Sequence, residues 1–169
     1  MRAVAMACAV AGLCSQPSVA AEARQACRPV SHSQLEALLP VLPGFARNQP
    51  KGETDNLEAV SRTTVDYEAR ASGISIELMD SCRNPDMLSQ LREFLAQGPP
   101  ATAGTVMRSV PVRGFPAYTE WTQASQHGEV HVLVADRFMV KVTGDLVSSL
   151  AVVEGAATAI DLQRLAALK

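Results

Sequence analysis

One stretch limits the folds open to this chain more than any other. In EVHVLVADRFMVKVTG, Val130, Val132 and Val134 alternate with other residues, and Phe138, Val140 and Val142 repeat the pattern after a short polar break. Alternation with a period of two marks strands that bury one face. Residues directly opposite each other in an antiparallel pair share a face, so the loop length can be chosen from the side chains. A two-residue turn at Asp136-Arg137 would set Val134 against Met139 and Val132 against Lys141, mixing the faces. A three-residue loop, Ala135-Asp136-Arg137, sets Val134 against Phe138, Val132 against Val140 and Val130 against Val142, and keeps one face apolar. The sequence therefore predicts that loop. The opposite face then carries Leu133 with Met139, His131 with Lys141 and Glu129 with Thr143.

The other elements follow from similar patterns. Leu35, Leu38, Leu39 and Leu42 fall at helical spacing over Ser33 to Leu39, with Pro40 and Pro43-Gly44 ending the helix. Residues 44–56 are polar and rich in turn formers and read as a loop. Leu57 to Ala69 and Ile74 to Asp80 read as two strands joined through Ala71-Ser72-Gly73. Asn84-Pro85-Asp86 reads as a helix start, followed by the stripe Met87, Leu88, Leu91, Phe94 and Leu95. Gly98-Pro99-Pro100 stops it. Thr105 to Val112 and Tyr118 to Thr122 are further strands, joined through Arg113-Gly114-Phe115-Pro116. Leu146, Val147, Leu150 and Val153 predict a helix continuing to about Ala159, and Asp161 reads as the cap of a last short turn. The order is α-β-β-α-β-β-β-β-α, which predicts an α+β fold: a single antiparallel sheet of about six strands with helices packed on it.

The first twenty residues read as a signal peptide. Arg2 is followed by an apolar run, Ala3 to Leu13, too short to span a bilayer as a helix. Ser18-Val19-Ala20 places small residues before Ala21, and Ala21-Glu22-Ala23 is a second candidate cleavage point. Cys14 lacks the flanks of a lipidation site, because Ala11-Gly12-Leu13 has its large apolar residue in the wrong place. The expected organisation is a leader over 1–20, an N-terminal segment over 21–32 and one domain over 33–169. Cleavage removes two of the four cysteines and leaves Cys27 and Cys82, an even pair in an oxidising compartment. A disulfide between them would close a loop of about 55 residues and stabilise the domain by about 4 kcal/mol in the chain-entropy account; two free thiols are the alternative. The net charge of −2, with no basic run, lacks the footprint of a nucleic-acid binder. One Trp, two Tyr and four Phe are too few for a base-stacking platform.

Few residues suggest chemistry. His127, Glu129 and His131 share one face of a strand, so they are candidate metal ligands. Their spacing argues against it, since the two histidines lie ~13 Å apart along a straight strand and share an ion only if the strand bends, as Gly128 could allow. Lys141, expected opposite His131, would also repel a cation. The sequence contains no nucleophile elbow, Ser-x-x-Lys pair or phosphate loop, and no cofactor is expected. Trp121, beside Glu120, is either an interface anchor or a core residue. Phe115, Tyr118, Leu133 and Met139 form a candidate binding surface, with core packing as the alternative.

Four stretches carry a resemblance: Leu39-Pro40 through Leu42-Pro43-Gly44-Phe45, Gly73-Ile74-Ser75-Ile76-Glu77, Gly114-Phe115-Pro116-Ala117, and Leu133-Val134-Ala135-Asp136-Arg137-Phe138. Together they resemble a family of uncharacterised exported bacterial proteins, over about residues 33 to 168. The element order also looks like the sheet domains of the PsbP and Mog1 type, which implies a fold and no activity. The expected function is that of a periplasmic or secreted, non-catalytic accessory domain for an unknown protein or small ligand, with no transmembrane span in the mature chain. The alternatives are a metal protein or enzyme using the 127–131 face, and an anchored envelope protein.

Overall fold

The structure is a computed structural model of the 169-residue chain that describes residues 27–82, 84, 86–98 and 102–169. The expected leader, its cleavage points and Cys14 lie outside these residues, as do Pro85, Pro99 and Pro100. Eight antiparallel strands form one sheet: β1 (Ala46–Arg47), β2 (Lys51–Asp55), β3 (Val60–Ala69), β4 (Ser72–Asp80), β5 (Thr105–Ser109), β6 (Ala117–Thr122), β7 (His127–Val134) and β8 (Phe138–Asp145). Their spatial order is β1-β3-β4-β8-β7-β6-β5, with β2 also paired to β3. Among the described residues, four helices complete the α+β fold: α1 (His32–Glu36), α2 (Ser89–Gln97), α3 (Leu150–Ala159) and α4 (Leu162–Ala166).

The β7–β8 hairpin has the expected register. Val134 faces Phe138, Val132 faces Val140 and Val130 faces Val142, and all six side chains are buried. Ala135 and Asp136 both take positive φ, near 52°, as the turns that match strand twist require. On the same face β4 contributes Ile74, Ile76 and Leu78, and β3 contributes Val65 and Tyr67. Helices α1, α3 and α4 cover this face with Leu35, Val153, Ala156, Ala157, Leu162 and Leu165, making the main core. Helix α2 covers part of the other face, where Leu88 and Leu91 meet Met79, Tyr118 and Leu133 in a separate, smaller cluster.

Two further strands stand where a 44–56 loop is expected. β2 has almost no buried surface, so apolar alternation could not reveal it. It is held instead by buried hydroxyls of β3: Thr63 Oγ1 donates to the Lys51 carbonyl at 3.3 Å and Ser61 Oγ to the Glu53 carbonyl at 3.2 Å. His32 lies in α1 with its ring against Gly52. The β2–β3 turn takes in Leu57, which is 96% exposed, so β3 begins at Val60 rather than Leu57. Strands β3 and β4 meet through Arg70-Ala71, one residue earlier than expected, with Ala69 opposite Ser72. Helix α2 starts at Ser89; Asn84 Oδ1 accepts the Asp86 N–H at 3.1 Å and forms a turn before the helix instead of capping it. At the C-terminus Asp161 caps α4, as expected, by accepting the Arg164 N–H at 3.0 Å.

One carboxylate closes the end of the sheet. The Asp80 side chain is fully buried, and its Oδ1 accepts the Cys82 N–H and Arg137 Nε–H, both at 2.8 Å. Its Oδ2 accepts the Val30 N–H at 2.8 Å and Arg137 Nη2–H at 2.7 Å. The Arg137 carbonyl in turn accepts the Ser81 N–H and hydroxyl. Cys27 and Cys82 form a disulfide beside this cluster, with their Cα atoms 5.7 Å apart.

Two glycines show how tightly the main core is set. A Cβ on Gly144 would lie 2.6 Å from Val153 Cγ2 and 3.1 Å from Val147 Cγ2, whereas one on Gly155, in the middle of α3, meets nothing within 4 Å. Gly144→Ala is expected to destabilise by about 1–3 kcal/mol through overpacking. Gly155→Ala should stabilise by roughly 0.5–1 kcal/mol, the helix-propensity difference. Urea denaturation of the two variants checks both signs.

Candidate functional site

The second sheet face divides in two. Near the β7–β8 turn it is apolar and lies under α2. Tyr118 and Leu133 are buried there and Met139 is half-buried against them. The Tyr118 ring takes the edge of Phe94 at 5.5 Å and stacks flat on His131 at 4.5 Å. Asp136, at the hairpin turn, binds Arg92 of α2 at 2.7 Å and fastens the helix down. Farther from the turn the face is polar, and its Glu120, Glu129, His131 and Lys141 are half-buried.

The candidate binding residues therefore do not form one surface. Tyr118, Leu133 and Met139 are core of the smaller cluster, and Phe115 packs against the main core from the tight turn that pairs Val112 with Phe115. Trp121 also lies on the main-core side. Its ring rests over Gly128, where a Cβ would come within 3.0 Å of Cε3, and its N–H reaches Gln123 Oε1 at 3.1 Å.

The candidate metal ligands do share the polar face, and they converge on a carboxylate. Glu129 Oε2 accepts from His131 Nε2 at 2.7 Å, and Oε1 accepts from Lys141 Nζ at 2.9 Å. His127 Nε2 lies 3.5 Å from the same Oε1, while its Nδ1 donates to Asp145 Oδ1 at 2.7 Å. β7 runs through Gly128 in regular pairing with Trp121 and Gly144, without the bend a shared ion would need. With Lys141 occupying the middle of the group, no three His, Cys, Asp or Glu among the described residues are placed to hold a metal ion.

The electrostatics fit a fixed-charge surface. Burial pushes the Glu129 carboxyl up, but the bonds from His131 and Lys141 outweigh it and hold the pKa at about 2. Burial, with Glu129 and Glu120 nearby, pushes the Tyr118 phenol up to about 12. Its bond to Asp145 raises His127, against the opposing effect of burial. Near neutral pH, Glu129 is a saturated carboxylate and Tyr118 a neutral phenol, so neither is poised to take or give a proton. Comparison with protein-family models, with curated proteins and with solved structures finds no match.

Beyond this cluster the polar face continues across the sheet. Glu77 stands opposite Lys141 and bonds Arg62 at 2.9 Å, and a shallow cleft of about 240 Å³ lined by Lys51, Glu53, Arg62 and Thr64 follows at the β2 edge. At the other end, Glu120 lies directly opposite Glu129 in the β6–β7 register. Like charges at such a position repel. Sequence patterns place Glu120 on a strand, but only the register brings it against Glu129.

The depressed Glu129 pKa gives a signed expectation. An acid with a folded value of about 2 and an ordinary value of 4.5 stabilises the fold above pH 4.5, and that contribution is lost as pH falls towards 2. The shift corresponds to about 3 kcal/mol. His127 acts in the opposite sense: its raised pKa stabilises below its ordinary value of 6.5 and is lost as pH rises through the folded value. The stability gap between the native protein and Glu129→Gln, followed by urea denaturation, should shrink between pH 5 and pH 2. Parallel curves would contradict the assignment.

Proposed function

We propose that this is an exported, periplasmic or secreted accessory domain without catalytic activity, which docks a basic segment of a partner protein on the polar half of its second sheet face. The observation that carries the reading is the Glu120–Glu129 pair. Glu129 already has His131 and Lys141, whereas Glu120 has no ion-pair partner among the described residues and faces a second carboxylate. A lysine or arginine from a partner would relieve that repulsion, and electrostatic complementarity of this kind sets specificity and association rate. The rigid antiparallel sheet holds both carboxylates in place before binding, which lowers the ordering cost. The apolar leader read from the sequence supports export, and the Cys27–Cys82 disulfide is compatible with an oxidising compartment. Among the described residues, no helix is long and apolar enough to cross a membrane.

A lysine- and arginine-rich peptide serves as the probe. The native domain is expected to bind it with an affinity that falls as salt rises. Glu120→Lys should weaken binding at least about tenfold, or 1.4 kcal/mol, without lowering the thermal melt. Equal affinity of the native protein and Glu120→Lys would remove the docking surface from this face.

A further inference from the structure

The disulfide offers an inference that does not depend on the docking face. Cys27 is half-exposed, and Cys82, only 7% exposed, borders an open cavity of about 240 Å³ also lined by Leu57, Glu58, Ala59, Asn84 and Asp86. The bond lies outboard of the true anchor of the N-terminal segment. That anchor is Val30, whose side chain is buried in the main core and whose N–H binds Asp80. Between the two, the Arg28 carbonyl accepts one bond from Arg137 Nη2 at 3.2 Å. The other tie that the disulfide reinforces, from Cys82 to the sheet end, is also made without it: the Cys82 N–H binds Asp80, and Arg137 binds Asp80 twice. Cys82 is held at a φ of 44°, a left-handed conformation that costs a residue with a β-carbon.

We propose that Cys27–Cys82 is a native-state latch: a thiol-exchange site that an external dithiol opens through local release of Cys27 and Arg28, with the sheet domain left folded. The reductant's thiolate enters the cavity and attacks Cys82 Sγ. The S–S bond breaks, and Cys27 Sγ leaves as a thiolate with the bonding pair. The reductant's second thiol then attacks its own sulfur in the mixed disulfide and displaces Cys82 as a thiolate. The dithiol ends as a disulfide, having given up two electrons and two protons, and the protein ends with two thiols. Release of Cys27 leaves Arg28 held, among the described residues, by one bond from Arg137 Nη2 to its carbonyl.

The test uses the oxidised protein, dithiothreitol and iodoacetamide in native buffer, with alkylation followed by mass, the fold followed by the near-ultraviolet signal of Trp121, and protection followed by amide exchange. Both cysteines are expected to be alkylated at least about tenfold faster than the protein unfolds globally, at a rate nearly independent of low urea. The Trp121 signal and the protection of β7 and β8 should persist, with exchange rising only around Cys27 and Arg28. Alkylation that tracks global unfolding and climbs steeply with urea would overturn the proposal. So would a reduction that takes β7–β8 protection with it. Asp80→Asn supplies a second reading: with the parallel tie weakened, reduction should become coupled to loss of the Trp121 signal. A response identical to the native protein would overturn the redundancy on which the latch rests.

Discussion

A buried carboxylate is costly unless every lone pair is met, and Asp80 meets that condition with two backbone N–H groups and a two-point contact from Arg137. Those partners come from three parts of the chain: the segment before α1, the exit from β4 and the β7–β8 turn. An apolar side chain at this position would fill the space without choosing which segments meet there. The ion pair makes that choice, because removing either partner leaves a buried charge unpaired. Arg137 is further held by its position over the Phe138 ring, 4.9 Å from the centroid. The hairpin turn is fixed from both sides, by Asp80 through Arg137 and by α2 through Asp136.

From that fixed end the sheet diverges in character. Its first face is apolar across β3, β4, β8 and β7 and is covered by three helices, so it supplies stability and offers little to a partner. Its second face changes from apolar to polar within two residues along β7, from Leu133 to His131 and Glu129. α2 covers the first of these and the rest carries the network around Glu129. Half-buried charges are tolerable there because each of the central ones has a partner, with Glu120 the exception among the described residues. The docking proposal and the smaller core thus share one cause, the position at which the apolar pattern of the second face ends.

Much of this was legible in the residues. The hairpin register followed from the requirement that one face stay apolar, and the register then placed His127, Glu129, His131 and Lys141 together correctly. Counting the cysteines that outlast the expected leader narrowed Cys27 and Cys82 to a disulfide or two free thiols, and the structure has the disulfide. What escaped did so for identifiable reasons. β2 is an edge strand held by hydroxyls and backbone, which leaves no hydrophobic period to read. The capping signal at Asn84 is spent before α2, because Asn84 Oδ1 accepts the Asp86 N–H while the helix starts only at Ser89. Asp80 itself had a readable signal: it continues the inward phase of Ile74, Ile76 and Leu78, and a charge at an inward position implies a buried partner. Its identity as Arg137 lay 57 residues away and needed the sheet order. Glu120 against Glu129 likewise needed a pairing that neither strand specifies alone.

If Asp80 and Arg137 set the meeting of these segments, their contributions must be strongly coupled. A double-mutant cycle with Asp80→Asn and Arg137→Gln, read by urea denaturation, measures this directly. Each single substitution should cost about 3–5 kcal/mol, as for a broken buried pair. The double variant should be little worse than either, a coupling of about 3 kcal/mol. Additive losses, with coupling below about 0.5 kcal/mol, would show that the two residues act independently and contradict the account.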